Sequence, residues 1–139
     1  MDKHEQQGPI SGVTPHLTIR DNKAAEAVDF YKAAFGAEEM IRMPAQDGKR
    51  LMHVHLKVNG GSMMMNDDFP EYRGGVSPEP ASVTLHLQVE DADRWFERAV
   101  AAGAQVSLPL ADQFWGDRYG QLQDPFGHSW SIASPTKAA

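Results

Sequence analysis

The sequence predicts an α+β fold in which two βαβββ modules form mixed sheets around a cleft. Three observations lead to this fold class. The order β-α-β-β-β occurs twice within 139 residues. A Pro- and Gly-rich stretch separates the two copies, and the copies have similar sequence segments. The similar segments are "PHLTI…FGAEEMI" in the first copy and "LHLQV…AGAQVSL" in the second.

The first predicted module covers residues 13–66. It opens with a short β-rich segment, "VTPHLTIRD", followed by a helix in "NKAAEAVDFYKAAFGA". Asp21 or Asn22 can cap the start of this helix and Gly36 can end it. Three strands follow, in "EEMIRMP", "KRLMHVHLKVN" and "GSMMMND". The apolar stripe of the helix has i, i+3, i+4, i+7 and i+11 spacing and consists of Ala24, Ala27, Val28, Tyr31 and Phe35.

The second predicted module covers residues 82–134. Its first strand is "SVTLHLQV", and its helix in "EDADRWFERAVAAGA" takes Asp91 as cap and Gly103 as stop. Three strand candidates follow, "QVSLPL", "RYGQLQD" and "HSWSIAS"; in the last, Trp130 should face the core and Ser131 the opposite side. The predicted stripe of this helix is Ala92, Trp95, Phe96, Ala99 and Val100.

The remaining residues are expected to connect and flank the modules. Residues 1–12 form a flexible tail, residues 67–81 ("DDFPEYRGGVSPEPA") a linker, and residues 135–139 a second tail. Within the second module, "DPFG" predicts a turn because Pro presets φ and Gly closes the turn.

Composition narrows the classes of partner and the cell compartment. The net charge is -6 and no basic block occurs, so a nucleic-acid partner is not expected. No apolar run approaches the ~20 residues of a membrane span, and "MDKHEQQGPISG" lacks the apolar core of a signal peptide. The chain has no cysteine. We therefore expect a cytoplasmic protein without a membrane or nucleic-acid partner.

Two histidines in "LMHVHLKV" raise the question of a metal site. His53 and His55 are two apart in a strand and therefore lie on one face of the sheet. Neutral imidazoles are common metal ligands. The alternative is that both rings are polar side chains that line a cleft and bond to their sheet neighbours.

A second group of residues in "FWGDRYG" indicates a ligand pocket. Trp115 and Tyr119 lie near Arg118, and aromatic walls with one cation suit a flat or anionic organic ligand. The alternative is structural, with Trp115 packing a loop and Asp117 pairing with Arg118.

These motifs resemble those of the vicinal oxygen chelate superfamily, which includes glyoxalase I, bleomycin-resistance proteins and extradiol dioxygenases. The segments that carry the resemblance are "AVDFYKAAFGA", "VEDADRWFERAVAAGA" and "WGDRYGQLQDPFGHSW". They are most similar to the PhnB-like branch, and the resemblance covers residues 13–134. It implies the paired-module fold and a cleft that holds a divalent metal in the enzymatic members, but it specifies no reaction.

The resemblance also implies four inward ligand positions. They fall on His16, His55, Thr84 and Ser131, and His86 lies two residues after Thr84 on the same face. Thr84 and Ser131 depart from the family pattern, since a hydroxyl is a poor ligand for such an ion. The tentative metal ligands are therefore His16, His55 and His86, which could hold Zn, Ni or Fe with open positions.

Two functional hypotheses follow from this ligand set. The first is a small-molecule binder of the bleomycin-resistance type, a homodimer without an intact metal site. Its pocket would be lined by His53, Thr84, Trp115, Arg118, Tyr119 and Ser131. The second is a metal-dependent enzyme, of lyase, isomerase or dioxygenase type, that chelates vicinal oxygens of its substrate. Whether the modules pair within one chain or swap between subunits stays open.

Overall fold

The computed structural model describes residues 8–137, and these divide into two compact units. One unit contains the chain up to Lys32 together with Gly36–Glu79; the other contains Ala33–Phe35 and the chain from Pro80 onward. Each unit has one four-stranded mixed sheet. The α+β class and the repeated βαβββ order are therefore confirmed.

The first sheet has the strand order β1-β4-β3-β2. Strand β1 pairs in parallel with β4, while the β2–β3 and β3–β4 pairs are antiparallel. Asn59 and Gly60 turn β3 into β4 with φ of 49° and 82°, values that Asn and Gly tolerate best. The elements are β1 (His16–Ile19), α1 (Ala24–Phe35), β2 (Glu38–Pro44), β3 (Leu51–Val58) and β4 (Gly61–Asp67).

Alternation along β3 and β4 puts the apolar core residues on one side of this sheet and the histidines on the other. Val54 and Leu56 are register partners of Met65 and Met63, and all of these side chains are buried. The alternate residues include His55, whose register partner is Met64. The sheet therefore turns its histidines away from its apolar core.

The start of α1 corrects one prediction. Asp21 and Asn22 do not cap the helix: they have φ of 62° and 59°, and the residue at the cap position, Lys23, makes no side-chain cap bond. Instead, Asp67 Oδ1 accepts the N–H of Ala24 at 2.9 Å. The predicted stop is confirmed, since Gly36 has left-handed geometry at the end of α1.

The second sheet has the strand order β5-β8-β7-β6 and repeats the topology of the first. Strand β5 is parallel to β8, and the β6–β7 and β7–β8 pairs are antiparallel. The elements are β5 (Thr84–Gln88), α2 (Ala92–Ala102), β6 (Gln105–Asp112), β7 (Asp117–Gln123) and β8 (Ser129–Pro135). Pro135 thus ends a strand, and the predicted linker contains a short 3-10 turn at Pro70–Tyr72.

Helix α2 is capped as predicted and packs with a narrower stripe than predicted. Asp91 Oδ1 accepts the N–H of Arg94 at 3.1 Å. The buried members of the stripe are Ala92, Phe96 and Ala99. Trp95 is half-buried and Val100 is 41% exposed, so the side of the helix to which they belong is partly solvated.

The core face of the second sheet is built around Trp130 and Gly120. Trp130 is 2% exposed, as predicted, and its ring centroid lies 4.5 Å from that of Phe35. Gly120 leaves room for the helix, because a Cβ there would lie 2.7 Å from Phe96 Cε2 and 3.0 Å from the Leu110 Cα. None of the helices in residues 8–137 is long and apolar enough to cross a membrane.

Candidate functional site

Six uncharged polar side chains lie on the side of the second sheet opposite its apolar core, and we call this group the polar face. Register pairing places His86 beside Ser131, and Ser131 beside Gln121. Thr84 and Gln88 lie two residues on either side of His86 on β5 and are exposed. The polar face consists of Thr84, His86, Gln88, Tyr119, Gln121 and Ser131.

His86 is held by two hydrogen bonds on this face. Its Nε2 lies 2.9 Å from Gln88 Oε1, and its Nδ1 lies 2.7 Å from Ser131 Oγ. An amide oxygen can only accept, so His86 donates from Nε2 and its Nδ1 accepts the Ser131 hydroxyl proton. The two contacts fix both the tautomer and the ring plane of a side chain that solvent can reach.

Aromatic rings extend from His86 towards the loop before β7. The Tyr119 ring stacks beside His86, with centroids 6.1 Å apart and planes at 19°. Trp115 meets Tyr119 edge-on at 5.6 Å, and its Nε1 donates to Asp117 Oδ2 at 3.1 Å. Gln121 Nε2 donates to the Tyr119 hydroxyl at 2.9 Å. Side chains on neighbouring positions therefore orient both rings, while Trp115 remains 51% exposed.

Arg118 points to different partners from those of its neighbours in β7. Its Nε lies 2.9 Å from Asp93 Oδ2 on α2, and its Nη1 lies 3.2 Å from Asp112 Oδ1. Adjacent residues in a strand face opposite sides, which separates Arg118 from Tyr119. These contacts do not bring Arg118 to the polar face, and its pocket role stays a prediction.

The predicted histidines of the first module lie together on the polar side of the first sheet. His16 and His55 are both register partners of Met64, one on either side of it. His55 is fully buried, with Nε2 2.9 Å from Ser62 Oγ. His53 lies two residues from His55 on the same face and is half-buried.

We expect His16 to titrate below its ordinary pKa of 6.5. Partial burial lowers this pKa most, nearby His53 lowers it further, and a side-chain hydrogen bond with Asn66 raises it and so opposes both. The folded state thus favours the neutral ring; its contribution to stability is complete above pH 6.5 and is lost as the pH falls through the lowered pKa. Proton NMR titration of the ring measures the midpoint, and His53→Gln should raise it without restoring 6.5, because burial is the larger cause.

The chain unfolded in urea is the control for this titration, and there the His16 midpoint should return to the ordinary value. A folded-state midpoint at or above that value would contradict the expectation.

The donor set does not fit a metal of the kind that superfamily members often bind. Both ring nitrogens of His86 are engaged by side chains, and the other two positions on the second sheet, Thr84 and Ser131, offer hydroxyls. Within residues 8–137, no group of three or more His, Asp, Glu or Cys side chains could hold an ion. We therefore assign no step to a metal.

Two glutamines of the polar face were missed by the sequence reasoning. Gln88 and Gln121 orient His86 and Tyr119, respectively. The signal is present in the period-2 alternation of "TLHLQ" and "YGQLQ", which places each glutamine on the same side as a predicted site residue. Each glutamine bonds the residue two positions before it in its own strand, so alternation alone could have identified both partners.

Comparison with known proteins agrees with this architecture. A model of the Glyoxalase/Bleomycin resistance protein/Dioxygenase superfamily matches residues 14–132. The chain belongs to this superfamily. Uncharacterized protein Rv0887c of Mycobacterium tuberculosis (strain ATCC 25618 / H37Rv) is 48% identical over 145 residues, which cover 96% of this chain and 84% of the relative.

Solved structures of other proteins share the fold. TioX from Micromonospora sp. ML1 is 29% identical with a TM-score of 0.67, covering 89% of this chain and 99% of its own. The PhnB protein from Bacillus cereus is 23% identical with a TM-score of 0.70, covering 89% and 99%. The second comparison supports the fold alone, and it agrees with the predicted likeness to PhnB-like members.

Proposed function

We propose that this superfamily member binds a small planar organic molecule on the polar face of its second sheet, without a metal ion in the contact. The observation that carries the proposal is His86, which is fixed by Ser131 and Gln88 and stacked beside Tyr119. A ring held in this way is ready to contact a ligand without further ordering, which lowers the entropic cost of binding.

The chemistry of the polar face favours an uncharged aromatic ligand. Its side chains are hydroxyls, amides and one imidazole, and each can donate to or accept from a neutral polar group. The neighbouring carboxylate, Asp117, accepts Trp115 Nε1 and would repel an anion. Trp115 and Tyr119 supply ring surfaces for stacking. Superfamily members bind small molecules and often form dimers. We propose a homodimer here as well, and a cytoplasmic location stays a prediction.

Binding of naphthalene-2-carboxamide tests the proposal, because this probe combines a flat ring with a neutral amide. Calorimetry on the full chain in EDTA should show saturable binding, and Tyr119→Ala should weaken it roughly fivefold, the value of one aromatic contact. Tyr72→Ala is the matched control, since Tyr72 is 83% exposed and lies in the other unit.

Cyclohexanecarboxamide, which keeps the amide and lacks the flat ring, should bind more weakly than the aromatic probe. Binding of the aromatic probe that disappears in EDTA and returns with added Zn²⁺ or Ni²⁺ would overturn the metal-free proposal. If Tyr119→Ala and Tyr72→Ala weakened binding of the aromatic probe equally, the polar face would not be the binding site.

A further inference from the structure

A depression of about 330 Å³ lies in the first unit, where the segment before β1 passes β3 and β4. Its lining combines Lys57 of β3 and Ser62 of β4 with residues from the segment 8–14. This size is at the lower end of small-molecule sites. The side chains at this depression are separate from those used in the proposed function.

Lys57 supplies positive charge to the depression. Among the described residues that line it, Lys57 is the only charged one. Glu38 is its register partner on β2, yet no ion pair within residues 8–137 joins the two side chains. The ammonium group of Lys57 is therefore available to an anion.

Ser62 supplies a hydroxyl that a hydrogen bond to His55 holds in position. Its Oγ lies 2.9 Å from Nε2 of His55, a side chain that is fully buried in the sheet. A hydroxyl has one donor and two acceptor positions, so Ser62 can bond a ligand oxygen as well as His55. Register pairing puts Ser62 directly beside Lys57, and the two groups can therefore contact one anionic group.

The segment 8–14 also contributes apolar side chains to the depression. Ile10 and Val13 line it and are 72% and 101% exposed, so a bound apolar group would cover surface that now faces water. One cation suits a monoanion better than a phosphate dianion, because the chain as a whole carries a net charge of -6.

We propose that this depression binds a small organic monocarboxylate. Lys57 and Ser62 hold the carboxylate, and Ile10 and Val13 cover its apolar body. The proposal concerns the first unit and does not rest on the proposed function of the polar face.

Titration of the full-length chain with sodium benzoate, followed by amide NMR, tests the proposal. We expect saturable shifts confined to residues 8–14 and to the neighbourhoods of Lys57 and Ser62. Lys57→Met should weaken benzoate at least about tenfold, the loss of one charge-assisted contact. Lys49→Met is the matched control, since Lys49 is exposed in the turn before β3. This variant should bind benzoate as tightly as the unmodified chain does.

Benzamide, the neutral counterpart of benzoate, should give weaker binding when the shifts of residues 8–14, Lys57 and Ser62 alone are followed, a comparison that needs no variant and leaves aside any benzamide bound on the polar face. Tyr119→Ala should leave benzoate binding unchanged, so the two proposals fail separately. Equal affinity for benzoate and benzamide at these residues, benzoate shifts centred on other residues, or undiminished benzoate binding in a folded Lys57→Met variant would overturn the proposal.

Discussion

Replacing Asp124 by Ala should lower the free energy of unfolding by about 3 kcal/mol, because one buried carboxylate organises the β7–β8 turn. Asp124 Oδ1 accepts the N–H groups of Phe126 and His128 at 2.9 and 3.0 Å. Its Oδ2 accepts Nε1 of Trp130 at 2.9 Å. Without the carboxylate, three donors in a region of low exposure lose this acceptor together.

Urea unfolding followed by circular dichroism measures the loss as a lower midpoint, and the thermal midpoint should fall by roughly 10 °C. Trp130→Phe is a second variant that keeps a ring in the core and removes only the Nε1 donor. In that background, Asp124→Ala should cost less than it does alone, since one of its contacts is already gone. A change in unfolding free energy below about 0.5 kcal/mol for Asp124→Ala would contradict this account.

The turn that contains Asp124 shows how far local patterns reach. "DPFG" predicts a turn, and the turn is present, with Gly127 N–H donating to the Asp124 carbonyl at 3.1 Å. Its chemistry is local: Pro, Gly and an Asx bond act within a few residues. The link from Asp124 to the indole of Trp130 depends on where β8 places that ring. Sequence spacing does not give this position.

The same division separates the predictable and unpredictable parts of the polar face. Period-2 alternation is enough to put His86 and Thr84 on one side, and Trp130 and Ser131 on opposite sides. The hydrogen bond between His86 and Ser131 joins positions 45 residues apart in the chain. Only the parallel β5–β8 pairing, which sets the register, makes them neighbours.

Arg118 illustrates how the sequence neighbours of a cation differ from its ion-pair partners. The sequence places it between Asp117 and Tyr119, inside an aromatic motif. Its Nε instead meets Asp93, which lies 25 residues earlier on α2. A long flexible side chain reaches across elements, so its partner follows from tertiary packing and not from neighbours in the chain.

Helix starts give the second large prediction, because the two units cap their helices in related ways. In the first unit, Asp67 Oδ1 accepts the N–H of Ala24; in the second, Ser134 Oγ accepts the N–H of Ala92 at 3.1 Å. Asp67 is in β4 and Ser134 in β8, the matching strands of the repeat. The last strand of each module therefore closes the start of its helix.

Asp67→Ala should accordingly destabilise the chain by about 3 kcal/mol, and Ser134→Ala by only about 1 kcal/mol. The difference arises because Asp67 is 1% exposed and serves a second donor, the N–H of Leu51, which Oδ2 accepts at 2.7 Å. Its loss would leave the start of α1 and the start of β3 without this acceptor at the same time. Urea unfolding midpoints of both variants measure the ratio of the two stability losses.

Asp29→Ala is the matched control for this pair, since Asp29 is exposed in the middle of α1 and its loss should change stability by less than about 0.5 kcal/mol.

Asp67→Asn separates the two contacts of Asp67. An amide keeps one acceptor oxygen but turns its NH₂ towards the other N–H, so a cost close to that of Ala is expected. Equal costs for Asp67→Ala and Ser134→Ala would mean that Asp67 acts as a helix cap alone. A larger cost for Asp67→Ala would show that one carboxylate ties α1 to the sheet edge at Leu51.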